Sequence, residues 1–312
     1  MMAMKIRVLG AAAGGGYPQW NCNHPNSRRA RQNDPRAKPR TQSSIAVSAD
    51  DEHWVLFNAS PDLRQQINAN DVLHPQKDLR HSPIQAVVLT NADVDHIAGL
   101  LNLRESQPLK VYGTQRVLDV LAANPVFNVL NPQFVSREPM KLDSPLTLRR
   151  PDGASIGIVI EPFAVPGKVA LWLEDESKGP NFGSVAEDTI ALEVRDADGA
   201  TRFFYVPACA AMTPDLAARL RGAPLMFFDG TLWCDDEMIV SGVGVKTGKR
   251  MGHMSLSGAS GTLAAFRDLD VKRKIFIHIN TTNPILLDDS PERAAVVEAG
   301  WEVSWDGMEV AV

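Results

Sequence analysis

Short runs of apolar and β-branched residues recur along the chain, and each run is bounded by Gly, Pro, Asn or Asp. Runs of this kind are typical of β-strands. Residues 86–89 and 225–228 are apolar throughout, which indicates strands that are buried on both faces. The pattern predicts strands over residues 5–9, 44–48, 53–57, 84–89, 156–160, 189–194, 202–206, 225–228 and 274–279.

Three helical patterns lie between the predicted strands, over residues 63–68, 216–220 and 293–298. Each follows a Ser or Thr and then a Pro, the residues that commonly cap a helix and occupy its first turn. The strands outnumber the helices and do not alternate strictly with them, which favours two packed sheets with helices outside them. The predicted fold class is α/β, with exposed loops over residues 26–40 and 175–187.

The composition is that of a globular protein, since 44% of the 312 residues are hydrophobic and 22% are charged. This length fits one large domain or two smaller ones. The net charge of -5 argues against non-specific binding to nucleic acid or to an anionic membrane. No long uninterrupted apolar run predicts a transmembrane helix. Three cysteines without a secretory signal are expected in a reducing compartment, so we expect the cytoplasm.

A polar cluster directly follows the apolar run at residues 86–89 and contains Asp93, Asp95 and His96. Because α/β proteins place their functional sites at the carboxyl ends of central strands, these side chains are candidates for a metal or catalytic site. The structural alternative is that Asp93 or Asp95 caps the following helix.

Two further polar residues accompany apolar strands. Asp229 directly follows the apolar run at residues 225–228, and His278 lies inside the predicted strand at residues 274–279. A single His in an apolar strand is often a core residue, but three such polar groups in one chain favour a shared site. The glycine run at residues 14–16 is expected to allow close approach of the backbone to that site.

The segment that ends in Asp95 and His96 resembles the metallo-β-lactamase superfamily, whose signature His-x-His-x-Asp-His follows a buried strand. Further motifs resemble one branch, the PqqB family of pyrroloquinoline quinone (PQQ) biosynthesis, at residues 12–22, 40–46, 58–62, 251–253 and 278–284. The resemblance covers nearly the whole chain. It implies an αββα four-layer sandwich, with a single metallo-β-lactamase-like domain over residues 1–312 and a surface loop insertion at residues 22–40.

The resemblance also implies a metal bound by Asp95, His96, Asp229 and His278. Hydrolases of the superfamily have His at the positions of Asn91 and Asp93, and no His occurs near Lys168, where they have another ligand. Two His with carboxylates and vacant positions resemble the mononuclear Fe(II) sites that activate oxygen, whereas structural zinc favours closed sets of Cys and His. We therefore expect a single Fe(II) ion rather than a dinuclear site.

The implied function is the iron-dependent hydroxylation, with O2, of the tyrosine ring of a glutamate-tyrosine-derived precursor of PQQ. One alternative is a binding or carrier protein for PQQ or its precursor, and a second is a metallohydrolase. The expected partners are a small-molecule or dipeptide precursor, O2 and a second copy of the chain in a homodimer, with neither nucleic acid nor membrane among them.

Five further residues are candidates for roles around the metal. Asp93 could be an additional ligand, an orienting group or a base for the phenol, and His253 is expected beside the metal, in proton transfer. Arg40, Lys168 and Lys246 are candidate anchors for substrate carboxylates.

A structural zinc site is a second candidate, at Cys22 and His24. Family relatives carry Cys-x-Cys-x-x-Cys here, which resembles a zinc knuckle, whereas this chain has His24 and Ser27 at the last two positions. Because a serine hydroxyl is a poor zinc ligand, we expect weaker binding than in a three-cysteine site. Metal binding and local folding are coupled, so residues 26–40 are expected to be poorly ordered unless another residue completes the site.

Overall fold

The computed structural model of the protein describes residues 3–179 and 181–312. Its strands are β1 (Lys5–Gly10), β2 (Ser44–Ser48), β3 (Trp54–Phe57), β4 (Ile84–Val88), β5 (Leu109–Thr114), β6 (Val135–Met140), β7 (Leu146–Arg149), β8 (Ser155–Ala164), β9 (Ile190–Asp196), β10 (Arg202–Val206), β11 (Leu225–Asp229), β12 (Arg273–Ile277), β13 (Trp301–Val303) and β14 (Glu309–Ala311). Its α-helices are α1 (Pro25–Arg31), α2 (Leu63–Ala69), α3 (Val94–Ile97), α4 (Gln115–Ala123), α5 (Pro214–Leu220), α6 (Glu237–Val240), α7 (Gly248–Met251), α8 (Thr262–Ala265) and α9 (Pro291–Glu298). Short 3-10 helices lie at Asp71–Leu73, Ala98–Leu103, Pro125–Val129, Leu171–Leu173, Glu176–Lys178 and Pro284–Leu286. None of the helices in the described residues is long and apolar enough to cross a membrane.

The strands form two mixed sheets, which position the site at one edge. The first sheet has the order β14-β1-β2-β3-β4-β5-β6, and the second has the order β13-β12-β11-β10-β9-β8-β7. In the second sheet β11 pairs in parallel with β12, and Asp229 pairs with Ile277. Asp229 and His278 therefore lie side by side at the carboxyl ends of these two strands. An isolated bridge between Asn91 and Thr189 joins the residues after β4 in the first sheet to the start of β9 in the second.

Three buried clusters connect four layers. Between the sheets, Phe57 packs against Phe203 and Tyr205, with ring centroids 6.3 and 5.7 Å apart. On the outer face of the first sheet, Leu121 of α4 belongs to a second cluster. On the outer face of the second sheet, Leu216 of α5 belongs to a third. The order helix, sheet, sheet, helix confirms the predicted αββα sandwich.

Each predicted strand is present, but the boundary at His278 is wrong. β12 ends at Ile277, and His278 has a backbone φ of +59°, which lies outside the strand region. Non-glycine residues rarely adopt this conformation, and it is common at functional sites. The chain therefore turns out of the sheet at His278, and the imidazole lines a cleft instead of packing into the core.

The structure corrects part of the prediction of an exposed loop over residues 26–40, because only residues 32–39 lie outside helices and remain mostly exposed. The helix α1 occupies the first part of this segment, and Ala30 and Ala37 are buried in the outer cluster of the second sheet. The side-chain amide of Asn26 donates hydrogen bonds to the carbonyls of Thr281 and Thr282, at 3.2 and 3.0 Å. Apolar burial and these hydrogen bonds attach the segment to the rest of the protein.

Candidate metal centre

The turn after β4 places Asp95 and His96 at the floor of the cleft. Asn91 Oδ1 accepts hydrogen bonds from the Asp93 N–H at 3.0 Å and from His96 Nδ1 at 2.8 Å. Because an amide oxygen can only accept, His96 carries its proton on Nδ1, and its Nε2 has a free lone pair. This Nε2 is buried without a hydrogen-bond partner among the described residues. Burial lowers the pKa of His96 to about 4, so the ring is neutral at pH 7, as a metal ligand must be.

His278 reaches the same point from the second sheet. Its Nδ1 lies 2.8 Å from Thr231 Oγ1, and its Nε2 lies 3.1 Å from Asp95 Oδ2. The Thr231 hydroxyl donates to the Asp229 carboxylate at 2.5 Å, so it accepts a proton from His278 Nδ1. In this tautomer the lone pair on Nε2 faces the Asp95 carboxylate, an arrangement that requires a cation between them or a second proton on the ring.

Asp95, His96 and His278 form one group whose ligand atoms lie within 4.8 Å of one another. Ligand atoms that bind one ion at about 2.1 Å lie about 3.0 to 3.4 Å apart, depending on the geometry. Asp95 Oδ2 lies 3.1 Å from His278 Nε2 and 3.9 Å from His96 Nε2. Burial opposes the charge on Asp95, but His96 and His278 hold the pKa of its carboxyl well below the usual range. A Cβ atom on Gly14 would lie 3.3 Å from Asp95 Oδ2, so the glycine run does bring the backbone against the site.

Asp229 lies behind this group rather than in it. Its side chain is fully buried and does not line the cleft. One oxygen accepts from the N–H and the hydroxyl of Thr231, at 3.0 and 2.5 Å. The other accepts from the Cys209 N–H at 2.9 Å and from His253 Nδ1 at 2.7 Å. Four hydrogen bonds satisfy the carboxylate from inside the protein.

His253 lies closer to the site than the sequence suggests. It forms a second potential ligand group with Asp229 and His278, and its ring stacks on that of His278 with centroids 5.1 Å apart. The bond from Nδ1 to Asp229 leaves Nε2 as the ring nitrogen without a hydrogen bond within the described residues. His253 lines the cleft, so this nitrogen is available to a bound molecule.

Asp93 also lines the cleft, but it does not cap α3. Its Oδ1 instead accepts the Leu171 N–H at 3.0 Å, a contact between the turn after β4 and the segment that follows β8. Burial, with a further contribution from the charge of Asp95, raises the pKa of Asp93 above its usual value. A carboxyl of raised pKa beside a metal is suited to exchanging a proton with a ligand.

The cleft has a volume of about 300 Å³ and two chemically distinct walls. Asp95, His96 and His278 form a wall of potential metal ligands, and Lys168 and Lys246 form a basic wall. The remaining lining includes three apolar side chains: Leu171, Met238 and Met251. Such a mixture suits a ligand with an apolar body and anionic groups.

The prediction that Arg40 anchors a substrate carboxylate is wrong, because Arg40 does not line the cleft. Its guanidinium is buried and donates to the carbonyls of Ser304 and Lys38, at 3.0 and 2.9 Å. These bonds connect the chain after α1 to the chain after β13, away from the cleft. Lys168 and Lys246 do line the cleft, and both lie near the carboxylate of Glu174.

The segment with Cys22 and His24 shows no group of three metal-ligating side chains among the described residues. His24 Nδ1 accepts the Asn26 N–H at 3.3 Å and caps α1, which occupies one of its two ring nitrogens. The Ser27 hydroxyl is buried and lies 2.8 Å from Thr281 Oγ1. Both side chains are thus engaged in hydrogen bonds within the protein.

We expect the double variant His24→Cys, Ser27→Cys to bind about one more zinc ion per chain than the wild type, because two thiolates would join Cys22. Inductively coupled plasma mass spectrometry of purified protein measures the difference. A third change, Cys22→Ser, should remove the gain. Equal zinc content in the double variant and the wild type would contradict the prediction, as would wild-type zinc bound on Cys22 and His24.

Glu237 supports the loop beside the site. Its carboxylate accepts hydrogen bonds from the Trp233 N–H at 2.6 Å and from the Thr282 hydroxyl at 2.5 Å. Burial raises the pKa of Glu237 to about 7. The usual value for the unfolded chain is about 4.3, so the folded protein binds this proton more tightly, and stability falls as the pH rises from about 4.5 to about 7.

Glu237→Gln removes this titration. Between pH 5 and pH 8, we therefore expect the free energy of unfolding of the variant to gain about 2 to 3 kcal/mol relative to the wild type. Urea unfolding at a series of pH values measures it. Glu298→Gln, at the exposed end of α9, is the control, and its unfolding free energy should change with pH as that of the wild type does. A parallel curve for Glu237→Gln would contradict the assigned shift.

Sequence reasoning missed three residues that shape the site. Asn91 drew attention only as a replaced imidazole, but it fixes the tautomer of His96. Thr231 hydrogen-bonds Asp229 and His278, and its place two residues after Asp229 is a local signal for a hydroxyl that bonds a carboxylate. Glu174 contacts the nearby Lys168, but its bidentate partner Arg250 is distant in sequence, so no local pattern indicates the cluster.

Known proteins resemble this chain over nearly its whole length. A family model described as a beta-lactamase superfamily domain matches residues 53–279. Coenzyme PQQ synthesis protein B from Xanthomonas oryzae pv. oryzae is 57% identical over 309 residues, which cover 99% of this chain and 100% of the relative. Its namesake from Gluconacetobacter diazotrophicus is 56% identical, with coverage of 97% and 98%. The crystal structure of zinc-bound PqqB from Methylobacterium extorquens is 48% identical, with a TM-score of 0.93 and coverage of 99% and 100%.

Proposed function

Because the chain belongs to the coenzyme PQQ synthesis protein B family, within the beta-lactamase superfamily, and so takes part in PQQ biosynthesis, we propose that it is an iron-dependent hydroxylase. Its substrate in this proposal is the tyrosine ring of a glutamate-tyrosine-derived precursor. The donor set at the floor of the cleft carries the proposal. Asp95, His96 and His278 supply two imidazoles and one carboxylate, the set found in mononuclear Fe(II) oxygenases.

The chemistry of these donors fits a divalent metal. The buried Nε2 of His96 lacks a partner, and the lone pair on Nε2 of His278 faces a carboxylate. A bound cation would satisfy both. The zinc in the relative from Methylobacterium extorquens supports the presence of a divalent metal in this family, while the choice of iron is our proposal from the donor set.

A single metal fits the cleft better than two. Asn91 and Asp93 stand where a second site would need imidazoles, and each makes hydrogen bonds within the protein. The carboxylate of Asp229, a further candidate ligand, is satisfied by four hydrogen bonds. Hydrolysis by paired metals needs two ions that clamp the reacting oxygens, so this arrangement disfavours a metallohydrolase.

Fe(II) bound here would activate O2, so that one oxygen atom enters the ring and the other leaves as water, with two electrons from an external reductant and two protons. The residues of the chain bind and orient the substrate. Leu171, Met238 and Met251 give the ring an apolar surface. In this proposal the Asp93 carboxylate accepts the phenol proton, and Nε2 of His253 passes a proton to or from the bound molecule; both side chains line the cleft.

The test is oxygen uptake by Fe(II)-loaded protein that is given glutamyl-tyrosine and ascorbate as the reductant. We expect uptake that depends on the peptide, and a product that carries one atom of isotopically labelled O2. Zinc-loaded protein is the control and should show no uptake. Tight binding of the precursor or of PQQ without uptake would contradict the hydroxylase and favour the carrier. Peptide hydrolysis by the metal-loaded protein would favour the hydrolase.

A further inference from the structure

Three cationic side chains surround one carboxylate at the basic wall of the cleft. Arg250 binds Glu174 through both guanidinium nitrogens, Nη1 to Oε1 at 3.1 Å and Nη2 to Oε2 at 2.7 Å. Lys168 Nζ lies 3.0 Å from Oε1, and Lys246 Nζ lies 3.8 Å from Oε2. The Glu174 side chain is only 9% exposed, and Arg250 and Lys168 hold the pKa of its carboxyl at about 2, so it is ionised at every working pH.

Among these four side chains, three cations face one carboxylate; from outside the cluster, Glu176 acts on the charge of Arg250 and Asp93 on that of Lys168. Arg250 is fully engaged, since its guanidinium also lies 3.7 Å from the centre of the Phe182 ring. Lys246 is not engaged, because 3.8 Å exceeds hydrogen-bond distance and its ammonium has no other acceptor within the described residues. Lys168 donates to the Val169 carbonyl at 3.2 Å as well as to Glu174, but it keeps its charge.

The two lysines, unlike Arg250, line the cleft. The side chain of Lys168 passes beside Gly252, where a Cβ atom would lie 3.2 Å from Lys168 Cγ, so its course is fixed on the side next to His253. Lys246 comes from the chain between α6 and α7, and Lys168 comes from the chain after β8. The ammonium groups of Lys168 and Lys246, from separate segments, therefore lie near Glu174 on one side of the cleft.

We propose that Lys168 and Lys246 are specificity-determining residues that make this wall selective for dicarboxylates, with Glu174 as their resident counter-charge. Glu174 pairs closely with Lys168 and Arg250 but neutralises only one of the three cations, so a ligand that brings two carboxylates is favoured over one that brings a single carboxylate. The choice of an aromatic peptide as probe rests on the proposed function. The recognition itself requires neither iron nor oxygen.

The test compares binding of glutamyl-tyrosine and glutaminyl-tyrosine, which have nearly the same shape and differ by one carboxylate, to zinc-loaded protein by calorimetry. We expect the wild type to bind glutamyl-tyrosine about 10-fold more tightly. Lys246→Met and Lys168→Met should each reduce this ratio to about 2-fold. Glu174→Gln should strengthen binding of both peptides, because it removes the resident negative charge while its amide oxygen can still accept from Arg250.

Lys249→Met is the matched control, since Lys249 is exposed on α7 and does not line the cleft, and its binding ratio should equal that of the wild type. Equal binding of the two peptides by the wild type would overturn the proposal, as would weaker binding of both by Glu174→Gln. If the protein binds glutamyl-tyrosine more tightly than glutaminyl-tyrosine but its iron-loaded form takes up no oxygen, the proposed hydroxylase is contradicted and this inference is supported. Hydroxylation of both peptides with equal kcat/KM would support the hydroxylase and contradict this inference.

Discussion

His278→Asn is expected to weaken Fe(II) and Zn(II) binding by at least about 100-fold and to abolish oxygen uptake. The ring supplies one of the three donors at the floor of the cleft, through the Nε2 that faces Asp95. Asn is the suitable replacement because the backbone φ at this position is +59°, a conformation that Asn tolerates better than Ala. Anaerobic equilibrium dialysis followed by elemental analysis measures the metal affinity.

His74→Asn is the control for this prediction, because His74 bonds the Asn68 carbonyl at 3.2 Å outside the cleft. That variant should bind metal as the wild type does. The wild type should also gain thermal stability when metal is added, since a ligand that binds only the folded state stabilises it, and His278→Asn should lose this gain. Full metal occupancy in His278→Asn would remove His278 from the site.

Thr231→Val is expected to weaken metal binding by about 10- to 100-fold, although Thr231 is not itself a predicted ligand. Its hydroxyl accepts from His278 Nδ1 and donates to Asp229, so it fixes which ring nitrogen of His278 faces the metal. Val has the same shape without the hydroxyl, and the variant leaves the imidazole free to rotate or to change tautomer. Thr231→Ser keeps the hydroxyl and should retain most of the affinity.

Loss of a buried hydroxyl also lowers stability, so a second control separates the two effects. Thr281 is buried, and its hydroxyl bonds that of Ser27 at 2.8 Å outside the cleft. Thr281→Val should lose about 1 to 3 kcal/mol of unfolding free energy with unchanged metal affinity. Thr231→Val should lose both unfolding free energy and metal affinity. Wild-type affinity in Thr231→Val would show that His278 is oriented without this hydroxyl.

The central strands could be predicted because a strand buried on both faces requires a run of apolar residues. The apolar run at residues 225–228 becomes β11, and the Ser or Thr caps before α5 and α9 accept the expected N–H bonds at Thr213 and Ser290. Peripheral elements leave a weaker mark. The edge strand β6 contains Arg, Glu and Pro, so its pattern does not indicate a strand, and α4 was missed although Thr114 caps it.

The site was only partly predictable, for a physical reason. Asp95 and His96 are adjacent in sequence, and the sheet order brings His278 to them. The position of Asp229 behind Thr231 depends on where the Cys209 N–H lies, and that is set by packing between distant segments. Patterns along the chain identify residues with the right chemistry, whereas hydrogen bonds in the folded protein decide which of their atoms remain free to bind a ligand.

Anomalous scattering at the iron and zinc edges, from crystals of anaerobically purified protein, tests the central claim most directly. We expect one metal position, with signal at the iron edge, in contact with Asp95, His96 and His278. Two fully occupied positions about 3.5 to 4 Å apart would contradict it and revive the hydrolase. A single ion on other residues, or zinc alone at this position in protein that takes up oxygen, would contradict it equally.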